Sequence, residues 1–217
     1  MERYMQVKWG NNLVFRDSYM FLTSSLESLV QSLRKTDENR FRQLESLMSI
    51  RYPIADFKLL LRTGVFSYEY LVLFNKFNDQ ALPNREEFFS TLRGEQCSAE
   101  DYDYAQRVWT ALGCASLEDY LKLYLASDVC QLADVFQNFR SICRQNYDLD
   151  PAYFLSAPQL AYNSMFKMQE LELELISDQE MYRMIQPNIR GGICHASVRL
   201  ARANNMYMGS MYRPDEP

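Results

Sequence analysis

Residues 116–147, SLEDYLKLYLASDVCQLADVFQNFRSICRQNY, decide how the rest of the chain is read. Their apolar side chains recur at helical spacing and predict one long helix. At roughly 100° per residue, Leu121, Tyr124, Leu132, Val135 and Phe139 fall within about 40° of Asp128, with Leu125 just outside that arc. This spacing puts Asp128 near the middle of the buried stripe and turns Asp119 and Asp134 away from it. A lone ionised carboxylate on an apolar face costs several kcal/mol unless it is paired or holds a metal. Two readings of Asp128 stay open. It is a core carboxylate bonded to a neighbouring arginine or backbone group, or it works with Tyr124, one turn earlier on the same face. In two-metal nucleases such a carboxylate holds a divalent cation while the phenol orients the attacking water. Many helices contain Tyr-x-x-x-Asp by chance, so the spacing alone does not choose.

Composition narrows the classes. With 217 residues the chain can bury a sizeable core, and its net charge of -5 gives no global field for nucleic acid. Any such contact must be local. The five cysteines (97, 114, 130, 143 and 194) form no C-x-x-C pair and there is one histidine, His195, which argues against zinc and for reduced thiols. The start, MERYMQVKWG, has no apolar run of the signal-peptide kind, and no stretch is apolar enough for a membrane span. The expectation is a soluble intracellular protein, nuclear or cytoplasmic, with no membrane partner.

Residues 4–9 and 13–17 read as two strands joined by Gly10-Asn11-Asn12, residues that supply the positive φ of a tight turn. Ser24-x-x-Glu27 is a capping box opening a helix whose apolar face is Leu26, Leu29, Val30 and Leu33. Residues 35–42 are a charged helix start or loop. The aromatics Phe66, Tyr68, Tyr70, Phe74 and Phe77 read as packing between short helices, since only Arg62 and Lys76 accompany them and a base-stacking platform needs more cations. Residues 84–92 predict a short helix. Ser98-x-x-Asp101 opens another ending at Gly113, and Ser116-x-x-Asp119 opens the long one. Asp150-Pro151 breaks the chain, residues 157–168 form a further amphipathic helix, and Ser177-x-x-Glu180 starts one stopped near Pro187. Residues 193–201 read as a strand.

The electrical character changes near the end. Glu170, Glu172, Glu174, Asp178 and Glu180 come first, whereas residues 188–211 hold Arg190, Arg199 and Arg202 and no acid. Gly191 and Gly192 let another chain approach closely, and flanking arginines suit phosphate oxygens. A plain turn with a solvated basic strand fits the same residues.

Four stretches in this order resemble the protein-primed family B DNA polymerases of viruses, linear plasmids and self-synthesising DNA transposons. They are Phe15-Arg16-Asp17-Ser18-Tyr19-Met20-Phe21-Leu22, YLKLYLASDVCQLAD at 120–134, DPAYFLSAP at 150–158, and Ile189-Arg190-Gly191-Gly192-Ile193 with Ala201-Arg202-Ala203-Asn204-Asn205. The resemblance implies that Tyr124 and Asp128 belong to the third motif of a 3′–5′ proofreading exonuclease, Asp128 sharing Mg²⁺ or Mn²⁺. It further implies that Asp17-Ser18 helps hold single-stranded DNA or the terminal protein. Residues 189–192 match the Y-x-G-G element along which single-stranded template passes, with Ile189 in place of the usual aromatic.

The departures matter equally. The chain contains no upstream Asp-x-Glu strand, and Asp178-x-Glu180 follows the third motif and begins a helix. The polymerase motifs D-x2-S-L-Y-P, K-x3-N-S-x-Y-G and D-T-D are missing. The expected fold is α+β and mainly α, with an N-terminal β-hairpin, a helix-rich middle and a short C-terminal strand. Residues 1–150 would be a partial, ribonuclease H-like exonuclease domain with a helical insertion at about 24–113. Residues 151–217 would lead towards the polymerase palm. The expected function is a fragment of a DNA-directed DNA polymerase, inactive alone, with primer-template DNA, terminal protein and the remaining polymerase segments as partners. The alternatives are a non-catalytic single-stranded-DNA-binding module and a protein-interaction module.

Overall fold

Alternating side chains and a Gly10 turn make the first element. Strands β1 (Gln6–Trp9) and β2 (Leu13–Arg16) pair antiparallel, with Val7 opposite Phe15 and Trp9 opposite Leu13. Gly10 takes φ 61°, a conformation that a side chain would strain. The computed structural model of the chain describes residues 6–10, 12–52, 57–92, 94–169, 173–189, 204, 210 and 212–215. Among them this hairpin is the single sheet, and the rest is mostly helical.

Helix α1 (Leu26–Thr36) starts at Ser25, whose hydroxyl accepts from the Ser28 N–H; the cap thus lies one residue beyond the predicted Ser24. Helix α2 is Arg42–Arg51. Irregular chain with single 3-10 turns fills residues 57–92, and the helix expected at 84–92 is only the turn Arg85–Phe88. Helix α3 (Ala99–Ala111) is capped by Ser98 and α4 (Leu117–Tyr147) by Ser116, as their boxes predict. After 31 residues α4 stops at Asp148, which adopts the left-handed conformation at φ 51°. Helix α5 is Ala157–Gln169 and α6 is Gln179–Ile185, capped by Asp178 rather than Ser177.

The chain divides into two units, residues 1–171 and 172–217. The break anticipated at Asp150 falls inside the first unit because Asp150 is tied back to α4 by two arginines. The strand expected over 193–201 lies outside the described residues.

The core of the first unit joins Val30 and Leu33 of α1, Leu44 and Met48 of α2, Tyr104, Ala105 and Val108 of α3, and Leu117, Tyr120 and Leu123 of α4. Each large apolar side chain buried there contributes about 1.5–3 kcal/mol. Trp109 of α3 packs on the Tyr120 ring at 5.8 Å. Along α4 the deeply buried line runs through Leu117, Tyr120, Leu123, Ser127, Gln131 and Asp134. This corrects the predicted stripe. Of the predicted members Val135 is buried and Leu121, Tyr124 and Phe139 are half-buried, but Leu132 is exposed, Asp128 sits on the shoulder and Asp134 points inwards.

Asp134 is buried because another helix needs it. Phe41 precedes α2 and supplies no side-chain cap. The Asp134 carboxylate substitutes: Oδ1 accepts from the Gln43 N–H at 2.9 Å and Oδ2 from the Leu44 N–H at 3.1 Å. A negative charge at the positive end of a helix dipole adds to these bonds. Replacing Asp134 with Ala should therefore lower stability by about 2–3 kcal/mol, and with Asn by less, read from denaturant midpoints. An unchanged midpoint in Asp134→Ala would remove Asp134 from this role.

Candidate functional site

The tyrosine of Tyr-x-x-x-Asp is placed by the chain that follows the 3-10 turn Phe57–Leu60. Residues 59–65 run against α3 and α4, and the carbonyls of Leu59, Leu60, Arg62 and Val65 face side chains of those helices at buried or part-buried positions. Side chains satisfy them. Tyr104 donates to Leu59 O at 2.8 Å, Gln131 Nε2 to Leu60 O at 2.7 Å and to Arg62 O at 3.1 Å, and Tyr120 to Val65 O at 2.8 Å. The pinned strand presents Gly64 to the ring of Tyr124. A Cβ at Gly64 would lie 2.9 Å from the Tyr124 ring, closer than real Cβ contacts come. Phe66, 5.5 Å from Tyr124 between centroids, and Tyr68, edge-on at 6.0 Å, complete an aromatic box.

Inside that box the Tyr68 hydroxyl donates to the Tyr124 hydroxyl at 2.9 Å. Tyr124 lies one turn before Asp128 on α4, close enough that each group shifts the protonation of the other. The structure thus brings the sequence-predicted pair together, with a third member, Tyr68, that spacing could not reveal. Burial raises the Asp128 pKa above the ordinary carboxylate value, and the Tyr124 hydroxyl opposes that rise. Burial also raises the Tyr124 pKa, reinforced by Tyr68 and by the charge of Asp128. Burial thus makes the charged form of each group costlier than in water. Asp128 Oδ1 is buried with no hydrogen-bond partner among the described residues.

A divalent ion of the kind implied by the polymerase resemblance needs several carboxylates around it. Among the described residues no group of three or more His, Cys, Asp or Glu side chains converges, at Asp128 or elsewhere. Asp128 with two phenols does not fit a two-metal centre.

Asp17 and Ser18 lie elsewhere, in an apolar cleft of about 710 Å³. Its walls come from β2, the turn Ser18–Met20, the outer side of α4 at Val129, Leu132 and Phe136, and the turn Pro151–Tyr153. Asp17 is occupied as a cap, accepting from the Tyr19 N–H at 2.9 Å. The cleft is closed at one end by Arg16, which donates to the carbonyls of Ala152 and Phe154. Below it Arg140 grips both oxygens of Asp150, at 2.9 and 2.6 Å, and Arg144 adds a further bond. Arg140 foremost holds the Asp150 carboxyl well below the usual range, helped by the Ala152 N–H. Sequence reasoning did not single out Arg16, Arg140 or Arg144 as partners of 150–154. The clue available was Arg140 and Arg144 one turn apart, directly ahead of an Asp-Pro break. Arg190, Gly191, Gly192, Arg199 and Arg202 lie outside the described residues.

Comparison with family models, with curated proteins and with solved structures finds no match for this chain.

Two substitutions test the aromatic box. Gly64→Ala should cost about 1–3 kcal/mol through overpacking, and Tyr124→Leu in the same chain should recover most of that loss; no recovery would separate Gly64 from Tyr124. At Asp128 the folded-state pKa is raised, so the folded chain binds the proton more tightly and stability falls as pH climbs through that pKa. Asp128→Asn should therefore raise the melting temperature by a few degrees at neutral pH, the gain vanishing below the ordinary carboxylate pKa. A gain that persists in acid would mean the charge is not the cause.

Proposed function

We propose that this chain is a non-catalytic segment related to the protein-primed family B DNA polymerases. In this reading it derives from the back half of a ribonuclease H-like exonuclease domain and the bridge towards the palm. The observation that carries the reading is spatial. Three of the four stretches that bear the resemblance meet at α4: Tyr-x-x-x-Asp lies within it, residues 151–153 follow its end, and residues 16–21, about a hundred positions earlier, border the same outer side. The phenol and carboxylate of that motif adjoin, as the third exonuclease motif requires.

Chemistry argues against catalysis by the chain itself. Asp128 has no carboxylate companions among the described residues, and the Tyr124 hydroxyl is held by Tyr68. A phenol locked between a glycine and two aromatic rings is a packing element first. In full-length relatives the matching residues would trim errors with two metal ions, and a palm domain would add nucleotides. Here Tyr124 packs against Gly64, Phe66 and Tyr68, and any remaining contact with single-stranded or primer-template DNA falls to Asp17, Ser18 and the arginines Arg190, Arg199 and Arg202. The packed pair favours one second reading, a helical module that serves protein interaction alone.

The deciding assay incubates the purified chain with 5′-labelled single-stranded DNA and Mg²⁺ or Mn²⁺, and follows both degradation and anisotropy. The expected result is no shortening, with weak binding that fades as salt rises. Degradation abolished by Asp128→Ala would overturn the non-catalytic reading. Absence of binding at low salt would leave the protein-interaction module as the function.

A further inference from the structure

The cleft beside α4 has the size and the walls of a small-molecule site. Its volume of about 710 Å³ falls among pockets of that class, which run from about 300 to 1,000 Å³. Its walls are apolar, made by Val14 of β2, by Phe21, by Leu132 and Phe136 of α4, and by Pro151. All of this lining lies between residues 14 and 153, inside the first unit. The walls are also fixed in place. Phe21 packs edge-on against Phe136, 6.1 Å between centroids, and the Asp150 carboxylate ties the start of the Pro151 turn to Arg140 and Arg144 of α4. A site built in advance spares a ligand the cost of ordering it.

One end of the cleft carries a guanidinium with a free edge. Arg16 uses a single nitrogen, Nη1, to donate to the carbonyls of Ala152 and Phe154. Those acceptors are neutral, so they hold the side chain without cancelling its charge. Among the described residues Nε and Nη2 of Arg16 donate to nothing, and no carboxylate pairs with it. The Nε–Nη2 edge presents two parallel N–H groups that match the two oxygens of a carboxylate. Arg140 uses that same edge to grip Asp150, at 2.9 and 2.6 Å. Of the described residues lining the cleft, Arg16 is the one cation. Asp17 lies on the same rim, with Oδ1 accepting from the Tyr19 N–H. Its charge opposes a doubly negative head such as a phosphate monoester and leaves a singly charged one as the better match.

We propose that the cleft binds an amphipathic monocarboxylate of the medium-chain fatty-acid class. The apolar tail lies along Leu132 and Phe136 of α4, and the carboxylate sits on the Nε–Nη2 edge of Arg16. Burial of the tail supplies the affinity, and the guanidinium supplies the preference for an acid over an alcohol of equal length.

Isothermal titration of the full chain with decanoate, beside 1-decanol, tests this. Saturable one-to-one binding of decanoate below its micellar concentration is expected, with a negative heat-capacity change. Arg16→Gln should weaken decanoate by about tenfold and leave 1-decanol unchanged. Leu132→Asp, at a partly exposed position of α4, should weaken decanoate by about tenfold or more without altering the far-ultraviolet circular dichroism. Absence of decanoate binding overturns the proposal, whatever else in the chain fills the cleft. So does binding indifferent to Leu132→Asp, which would put decanoate elsewhere. Equal loss of both ligands in Arg16→Gln also overturns it, since Arg16 would then be a wall and not the receptor of the carboxylate.

Discussion

Chain that leaves its own helical hydrogen bonds cannot enter a protein interior unless its carbonyls find donors there, and the first unit is assembled around meeting that requirement. Residues 59–65 receive bonds from Tyr104 on α3 and from Tyr120 and Gln131 on α4. Each bond is worth about 1 kcal/mol net when made, and a buried carbonyl left without one costs more. The three donors therefore fix how far α3 stands from α4. They also explain Gly64, since a strand held so tightly leaves no room for a Cβ beneath Tyr124. The arrangement is not fully satisfied: Gln131 spends its amide nitrogen on two carbonyls and leaves its own buried oxygen without a partner among the described residues.

Three aspartates along and just beyond α4 show how environment assigns different work to one side chain. Asp134 meets backbone N–H groups and caps the start of another helix, and burial raises its pKa despite those bonds. Asp150 meets two guanidiniums and folds the chain back after α4, its pKa pulled down. Asp128 meets a phenol, and burial moves its pKa in the opposite direction. The helix gains rigidity from the first two and carries the third as a cost.

Periodicity and capping made the helices legible: Ser98, Ser116 and the apolar face of α1 sit where their pattern places them. The same periodicity misplaced the inner face of α4. Ser127, Gln131 and Asp134 look like solvent residues, yet they turn inwards to serve backbone groups and, for Ser127, its own helix. Conversely Leu132 falls in the expected stripe and lines an open cleft. Tyr124 and Asp128 could be paired from their spacing, but Tyr68 could not be added, because its position depends on a turn stabilised by distant side chains. Among the aromatics read together as packing, Phe66 is core while Phe74 is 90% exposed.

The chain holds two tryptophans, and the fold gives them opposite surroundings. Trp9 projects from the hairpin into solvent, whereas Trp109 rests against Tyr120 beside the central core. One indole emits from water and is open to collisional quenchers, while the other is shielded and close enough to tyrosine to receive its excitation energy. The molecule thus carries separate optical gauges of its outermost sheet and of its interior, and neither requires a label.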